Sequence, residues 1–94
     1  MHWRLPLDRE TRLKRLRFRS WHRGTKEADM MVGGFFDRFS DRWDDTEISW
    51  YETLMDEQDV DIMGWATGTV APPPHMAGPM LTAMQRLDYI SIPE

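Results

Sequence analysis

Apolar residues recur every three or four positions along much of the chain, which is the spacing of one face of an α-helix. Between Asp8 and Trp21 the apolar residues share one helix face, and arginines occupy other positions. Phe18 lies off the shared apolar face. We expect this first helix to stop at Gly24, because glycine adopts a positive φ without steric penalty. The apolar face of the predicted helix comprises Leu13, Leu16 and Trp21.

A second helix is predicted from about residue 26 to residue 39, with Thr25 as its N-terminal cap. Gly33-Gly34 lies in its middle, where each glycine costs about 1 kcal/mol of helix propensity. We therefore expect a tight helix crossing or a bend at this point. Adjacent residues of a regular helix cannot both face one core, so either Phe35 or Phe36 is expected to be partly exposed.

Two further helices are predicted beyond a charged turn at positions 41–45. The third begins at Thr46, and the fourth begins at Asp59, which can cap it, and ends at Gly68. Trp65 is expected in the core because it lies on the apolar side of the fourth helix. The apolar positions are Ile48, Tyr51, Leu54 and Met55 in the third helix, and Ile62, Trp65 and Ala66 in the fourth.

The last part of the chain combines a proline-rich segment with one more helix. Residues 71–74 are predicted to be an extended spacer, because each proline disfavours helical backbone at the residue before it. Pro79 suits the first turn of a last helix, whose apolar side contains Met80, Met84 and Leu87. Since no long strand-like alternation occurs, the pattern predicts an all-α fold, a small bundle of about five helices.

Length and composition limit the possible functions. We expect a single domain over residues 1–94, with a short arm at 1–7, a helical core at about 9–90 and the proline-rich spacer at 71–79. The absence of cysteine excludes a disulfide framework, a thiolate nucleophile and a cysteine-ligated metal site. The three histidines are scattered, so no metal site is expected. Without a membrane-spanning or signal-like segment, a soluble protein of the bacterial cytoplasm is expected.

Charge is distributed unevenly along the chain. Residues 1–26 contain nine basic and two acidic residues, whereas the remainder contains three basic and fourteen acidic residues. Two interpretations are open: a nucleic-acid-binding arm, or an electrostatic clamp between the first helix and the rest of the domain. The clamp is favoured, because a basic helix on an acidic body is largely self-neutralising and so acidic a remainder would repel a nucleic acid.

The richest chemistry lies at the predicted turn between the first two helices. It contains Arg23-Gly24, then Glu27 and Asp29, in a sequence where a glycine ends one helix and a threonine caps the next. The two acidic residues lie near a positive helix N-terminus. Charge concentrated at an exposed turn indicates a recognition surface.

Two sequence blocks carry a resemblance to a known family. The first is the arginine-glycine-two residues-glutamate pattern of Arg23, Gly24 and Glu27, followed by Asp29 and by Phe35-Phe36. The second is the segment 59–67, DVDIMGWAT, which contains Asp-x-Asp-Ile-x-x-Trp. Together they resemble the succinate dehydrogenase assembly factor 2 family, called SdhE in bacteria, over about residues 9–90.

The resemblance implies an all-helical protein that promotes covalent attachment of FAD to the flavoprotein subunit of succinate dehydrogenase. Some bacterial members also serve the related subunit of fumarate reductase. On this interpretation the protein is a monomeric chaperone and not an enzyme, it binds no FAD stably, and FAD becomes attached to the partner. No membrane insertion and no nucleic acid partner are implied.

The same resemblance implies which residues contact the partner. Arg23 is expected to place its guanidinium on a carboxylate or a pair of carbonyls, and Glu27 to orient Arg23 or to meet a cation. Without a Cβ at Gly24, partner backbone can approach closely. An exposed phenylalanine would add an apolar anchor, and Asp59 is expected either to cap its helix or to make a contact. The full partner-binding set is Arg23, Gly24, Glu27, Asp29, Phe36, Asp59 and Asp61.

Two alternatives of other classes remain. The first is a nucleic-acid-binding or antitoxin-like regulatory module that uses the basic first helix on phosphates. The second is a flavin carrier, in which tryptophan or tyrosine rings stack on FAD before delivery. His22, which precedes the motif arginine, and the spacer at 72–74 depart from the family pattern and have no transferred role.

Overall fold

The computed structural model describes residues 8–90, which form five α-helices and a short 3-10 helix. The helices are α1 (Arg9–Trp21), α2 (Lys26–Phe39), α3 (Asp45–Met55), α4 (Asp59–Thr67) and α5 (Pro79–Gln85), with the 3-10 helix at Ser40–Arg42 between α2 and α3. No strand occurs within residues 8–90. The predicted all-α bundle is therefore confirmed.

Side-chain caps begin three of the helices. The carboxylate of Asp8 accepts a hydrogen bond from the Thr11 N–H, and Thr25 caps α2 as predicted by accepting one from the Ala28 N–H. At α3 Asp44 and Glu47 form a reciprocal capping box. That box moves the start of α3 one residue earlier than the predicted Thr46, because the aspartate satisfies free N–H groups of the first turn.

Three local predictions in the second half of the chain are wrong. Gln58 is the residue that precedes α4, and Asp59 is the first residue of the helix and does not cap it. The spacer is not extended throughout, because a turn at Pro74–Met76 carries the buried Met76 side chain into the core. Finally, α5 ends before Leu87, whose φ of 55° is incompatible with a right-handed helix.

The core is built around α2, and both of its adjacent phenylalanines are buried. Phe35 and Phe36 are 0% and 1% exposed, so the prediction that one of them reaches the surface is wrong. Both rings pack against Trp43 and Tyr51, and the Phe35 ring also packs edge-on against Tyr89. Because α2 is covered on two sides, two side chains that point in different directions are both enclosed.

Helices α1 and α2 cross at Gly33, as the glycine pair predicts. A Cβ at this position would lie 2.3 Å from a ring carbon of Trp21, so only glycine lets the indole lie against the α2 backbone. The helix continues through this point. The tight crossing is confirmed, and it fixes the Trp21 ring beside the start of α2.

Ion pairs join the basic first helix to the third helix and to the residue that follows it. Arg12 makes a two-pronged contact with Glu52 at 2.7 and 3.1 Å, and Arg19 contacts Asp56 at 2.9 Å. The hydrogen bond to Glu52 raises the pKa of Arg12 above its ordinary value. These contacts are those of the electrostatic clamp, and they engage two of the arginines that a phosphate-binding helix would use.

Candidate partner-binding site

The turn between α1 and α2 is exposed and has a backbone that suits only glycine. Gly24 has a φ of +123°, a conformation that side chains of L-residues rarely adopt. Nothing lies within 4 Å of the position that a Cβ would occupy. The requirement for glycine thus comes from the backbone conformation itself, and the outer side of the turn is open to a partner.

Arg23 fixes this turn to the end of α3, the loop that follows it and the start of α4. Its Nε donates to Asp59 Oδ1 at 2.7 Å, and Nη2 donates to the carbonyl of Glu57 at 3.1 Å. A weaker contact of 3.4 Å joins Nη1 to the carbonyl of Met55. The side chain is only 10% exposed. The predicted fork onto a carboxylate and carbonyls therefore exists, but the acceptors belong to this chain.

Asp29 holds the same turn from the other side. Its Oδ1 accepts a hydrogen bond of 2.7 Å from the backbone N–H of Arg23, and the residue is half-buried. A carboxylate in the first turn of α2 also lies near the positive end of the helix dipole. Asp29 and Arg23 together determine the conformation in which Gly24 is presented.

Glu27 and Asp61 are the two predicted acidic residues with exposed side chains. Within residues 8–90 Glu27 makes no ion pair, so the expected orientation of Arg23 by Glu27 is wrong. Asp61 lies in the first turn of α4, two residues after the aspartate that binds Arg23. Both carboxylates are accessible to a cationic group of a partner.

Phe36 does not form part of the accessible surface. With its ring enclosed by the Trp43 and Tyr51 rings, it supports α2 from inside the core. The exposed aromatic ring near the turn is instead Phe18, which is 64% exposed and stacks on His22 at a centroid distance of 4.0 Å. The Nδ1 of His22 donates to the Phe18 carbonyl at 2.7 Å, which caps the end of α1.

A shallow cleft of about 640 Å³ adjoins the turn. It is lined by Trp21, His22, Gly24, Thr25, Lys26, Asp29 and Met30. Sequence reasoning placed Trp21 on a core-facing stripe and gave Met30 no role at the site. The glycine pair was the available signal, because it fixes where the Trp21 ring lies.

Comparison with known protein families identifies the chain. A sequence model of the family described as "Flavinator of succinate dehydrogenase" matches residues 14–88, which include the turn and α4. The chain belongs to this flavinator family.

The relatives of the chain include a bacterial protein and a yeast protein. The chain is 36% identical over 73 residues to the FAD assembly factor SdhE of Acetobacter pasteurianus, covering 78% of this chain and 67% of the relative. It is 39% identical over 59 residues to the mitochondrial succinate dehydrogenase assembly factor 2 of Meyerozyma guilliermondii, covering 63% of this chain and 44% of the relative. The match thus spans less than half of the yeast protein.

No group of three or more side chains that could hold a metal ion occurs within residues 8–90. The same residues contain no helix long and apolar enough to cross a membrane. The site consists of an open glycine turn, two exposed carboxylates and an adjacent cleft.

Proposed function

We propose that this protein binds the flavoprotein subunit of succinate dehydrogenase and promotes covalent attachment of FAD to that subunit. The observation that carries the proposal is the turn at Gly24, which is open on its outer side and held in one conformation by Arg23 and Asp29. A pre-organised turn loses little conformational entropy on binding, which favours complex formation. Because the chain belongs to the family described as the flavinator of succinate dehydrogenase, we take succinate dehydrogenase as the complex that it serves.

The seven residues of the predicted set divide into three groups in this proposal. Gly24, Glu27 and Asp61 are exposed and meet the partner directly. Arg23 and Asp59 hold the turn against α4. The remaining two, Asp29 and Phe36, support the turn and α2 from within this chain.

The bond-forming chemistry belongs to the partner in this proposal. The flavoprotein subunit supplies the residue that becomes bonded to FAD, and this protein stabilises the conformation of the subunit in which the bond forms. It holds no FAD stably and is not itself an enzyme. The related flavoprotein of fumarate reductase is a second partner of the same chemistry.

Flavinylation with purified proteins tests the proposal. The flavoprotein subunit lacking FAD is incubated with FAD, with and without this protein, and covalent flavin is measured by in-gel fluorescence after denaturation. We expect this protein to increase the covalent flavin signal, and Glu27→Gln to weaken binding to the subunit by about tenfold or more. A subunit that gains covalent FAD at the same rate without this protein would contradict the proposal.

Glu10→Gln provides a matched control. Glu10 is an exposed glutamate in the first turn of α1, so the substitution removes the same charge from the equivalent position of another helix. We expect wild-type binding from this variant. Equal loss from Glu10→Gln and Glu27→Gln would attribute the effect to net charge and not to the turn.

A further inference from the structure

Gly34 is a glycine that the fold of this chain does not require. It lies in the middle of α2, where glycine is the least favourable residue after proline. A Cβ at Gly33 would collide with Trp21, whereas a Cβ at Gly34 would meet its nearest neighbour, a ring carbon of Tyr89, at 3.4 Å. That separation lies at the short limit of ordinary van der Waals contact. A residue that weakens its helix, and that packing within the chain does not require, indicates a contact with another molecule.

The surface above Gly34 is part of a groove that starts at the Gly24 turn. The cleft beside the turn and a second cleft of about 410 Å³ both have Trp21 and Met30 in their linings, so they adjoin each other along one side of α2. We call this surface the Trp21 groove. Beyond the two shared residues, its far half is lined by Gly34, Asp37, Arg38, Tyr89 and Ile90.

The Trp21 groove has the anatomy of a protein-binding surface. Its middle is formed by the half-buried Trp21 and Met30 side chains and by the bare backbone at Gly34. Charged residues lie at both ends, Lys26 near the turn and the exposed Asp37 and Arg38 at the far end. An apolar centre with a charged rim is typical of interfaces, and tryptophan and methionine are enriched in them.

We propose that the Trp21 groove binds an extended segment of the flavoprotein subunit, whose backbone crosses Gly34 and whose apolar side chain lies against Trp21 and Met30. This inference rests on the proposed function, and we assign the same partner to the groove because the groove adjoins the Gly24 turn. The α-helical rise between Lys26 and Asp37 gives a groove of about 16 Å, which matches about five extended residues. Absence of a side chain at Gly34 lets the segment approach the helix backbone.

Substitutions at Gly34 test the groove without unfolding the protein. Gly34→Ala and Gly34→Gln add a small and a long side chain to its floor, and both residues favour a helix more than glycine does. We expect Gly34→Ala to raise Tm by about 4–8 °C. We also expect Gly34→Gln to weaken binding to the purified flavoprotein subunit by about tenfold or more, measured by isothermal titration calorimetry. Because glutamine also favours a helix more than glycine does, the Tm of Gly34→Gln should not fall below that of the wild type, so its weaker binding cannot be explained by misfolding.

Two further variants serve as controls. Thr82→Gln places the same side chain on the exposed face of α5, outside the groove, and should bind like the wild type. Gly33→Ala should lower Tm, because its Cβ would collide with the Trp21 ring. A lower Tm for Gly33→Ala beside a higher Tm for Gly34→Ala would show that the fold needs the first glycine and does not need the second.

The outcomes distinguish failure of the groove from failure of the proposed function. Wild-type affinity of Gly34→Gln for the subunit would overturn the groove while leaving the proposed function intact. No binding of the wild-type protein to the subunit would overturn both. A fall in Tm for Gly34→Ala would show that the fold itself needs this glycine and would overturn the inference. Loss of self-association in Gly34→Gln, measured by analytical ultracentrifugation with subunit binding unchanged, would assign the groove to a second copy of this chain and overturn the partner named here.

Discussion

Arg23 and Asp59 form an ion pair of 2.7 Å that joins the turn between α1 and α2 to the first turn of α4. The two residues are 36 positions apart in the sequence. They belong to the two separate blocks on which the family resemblance rests. The structure thus shows that these blocks form one unit, in which the aspartate of the second block positions the arginine of the first.

Removing either side of this pair should reduce stability, because its partner remains in a largely enclosed position. We expect Arg23→Ala to lower the free energy of unfolding by about 2–3 kcal/mol, since the guanidinium also donates to two backbone carbonyls. Urea denaturation followed by circular dichroism measures this change. Arg23→Lys should recover only part of the loss, because an ammonium cannot reproduce the guanidinium fork.

A double-mutant cycle with Asp59→Asn tests whether the two residues act together. The double variant Arg23→Ala/Asp59→Asn should be less destabilised than the sum of the single variants, with a coupling energy of about 1 kcal/mol or more. Strict additivity of the two losses would show that the 2.7 Å contact contributes no coupling in solution.

We expect substitution of Gly24 to reduce the stability of the free protein, because of the backbone conformation at this position. Gly24→Ala should cost about 1–3 kcal/mol of stability, because φ is +123° there. Chemically synthesised protein with D-alanine at position 24 should retain wild-type stability, since a D-residue adopts positive φ readily. Thermal denaturation distinguishes the two.

The D-alanine protein also isolates the role of Gly24 as a contact. Its methyl group replaces the other Cα hydrogen of glycine, so the turn gains a substituent while the backbone keeps its conformation. We expect weaker binding to the flavoprotein subunit than that of the wild type. If this protein binds normally and only the L-alanine variant fails, the role of Gly24 is conformational alone.

Both tyrosines of the chain are buried, which gives a pH dependence with a defined sign. Burial raises the pKa of Tyr51 and of Tyr89 above the ordinary value of 10.0, and Asp88 raises the pKa of Tyr89 further. The folded state therefore holds these protons more tightly than the unfolded state. This contribution to stability is fully present below pH 10.0 and is lost as the pH rises above it.

Each tyrosine should lower the free energy of unfolding by about 1.4 kcal/mol per pH unit between its unfolded and folded pKa values. In a spectrophotometric titration, tyrosinate absorbance should appear only together with loss of the helical circular dichroism signal. Ionisation of either tyrosine near pH 10.0 in a fully helical protein would contradict the burial of its hydroxyl.

Much of the fold follows from local sequence signals. Thr25 at the start of α2, Pro79 at the start of α5 and the αL glycine Gly68 at the end of α4 each act through the backbone within one turn, so their effects are readable from sequence. The burial of both Phe35 and Phe36 was not readable in this way. It depends on how many sides of α2 are covered, which is set by tertiary packing.

The sequence motifs located the candidate site, but they did not indicate the role of each residue in it. The family resemblance implied that Arg23 contacts the partner and that Glu27 orients Arg23 or meets a cation. In the structure Arg23 lies before α2 begins, and it pairs with Asp59 from α4. A contact over 36 positions depends on the arrangement of helices, and no local pattern indicates it.

The measurement that tests the central claim most directly is covalent flavin in the flavoprotein subunit of succinate dehydrogenase, in cells from which this gene is deleted. The gene is restored as wild type, as Glu27→Gln or as Glu10→Gln, and in-gel flavin fluorescence is read after denaturation. We expect the signal to fall on deletion, to return with the wild type and Glu10→Gln, and to stay low with Glu27→Gln. Undiminished covalent flavin in the deletion strain would contradict the account.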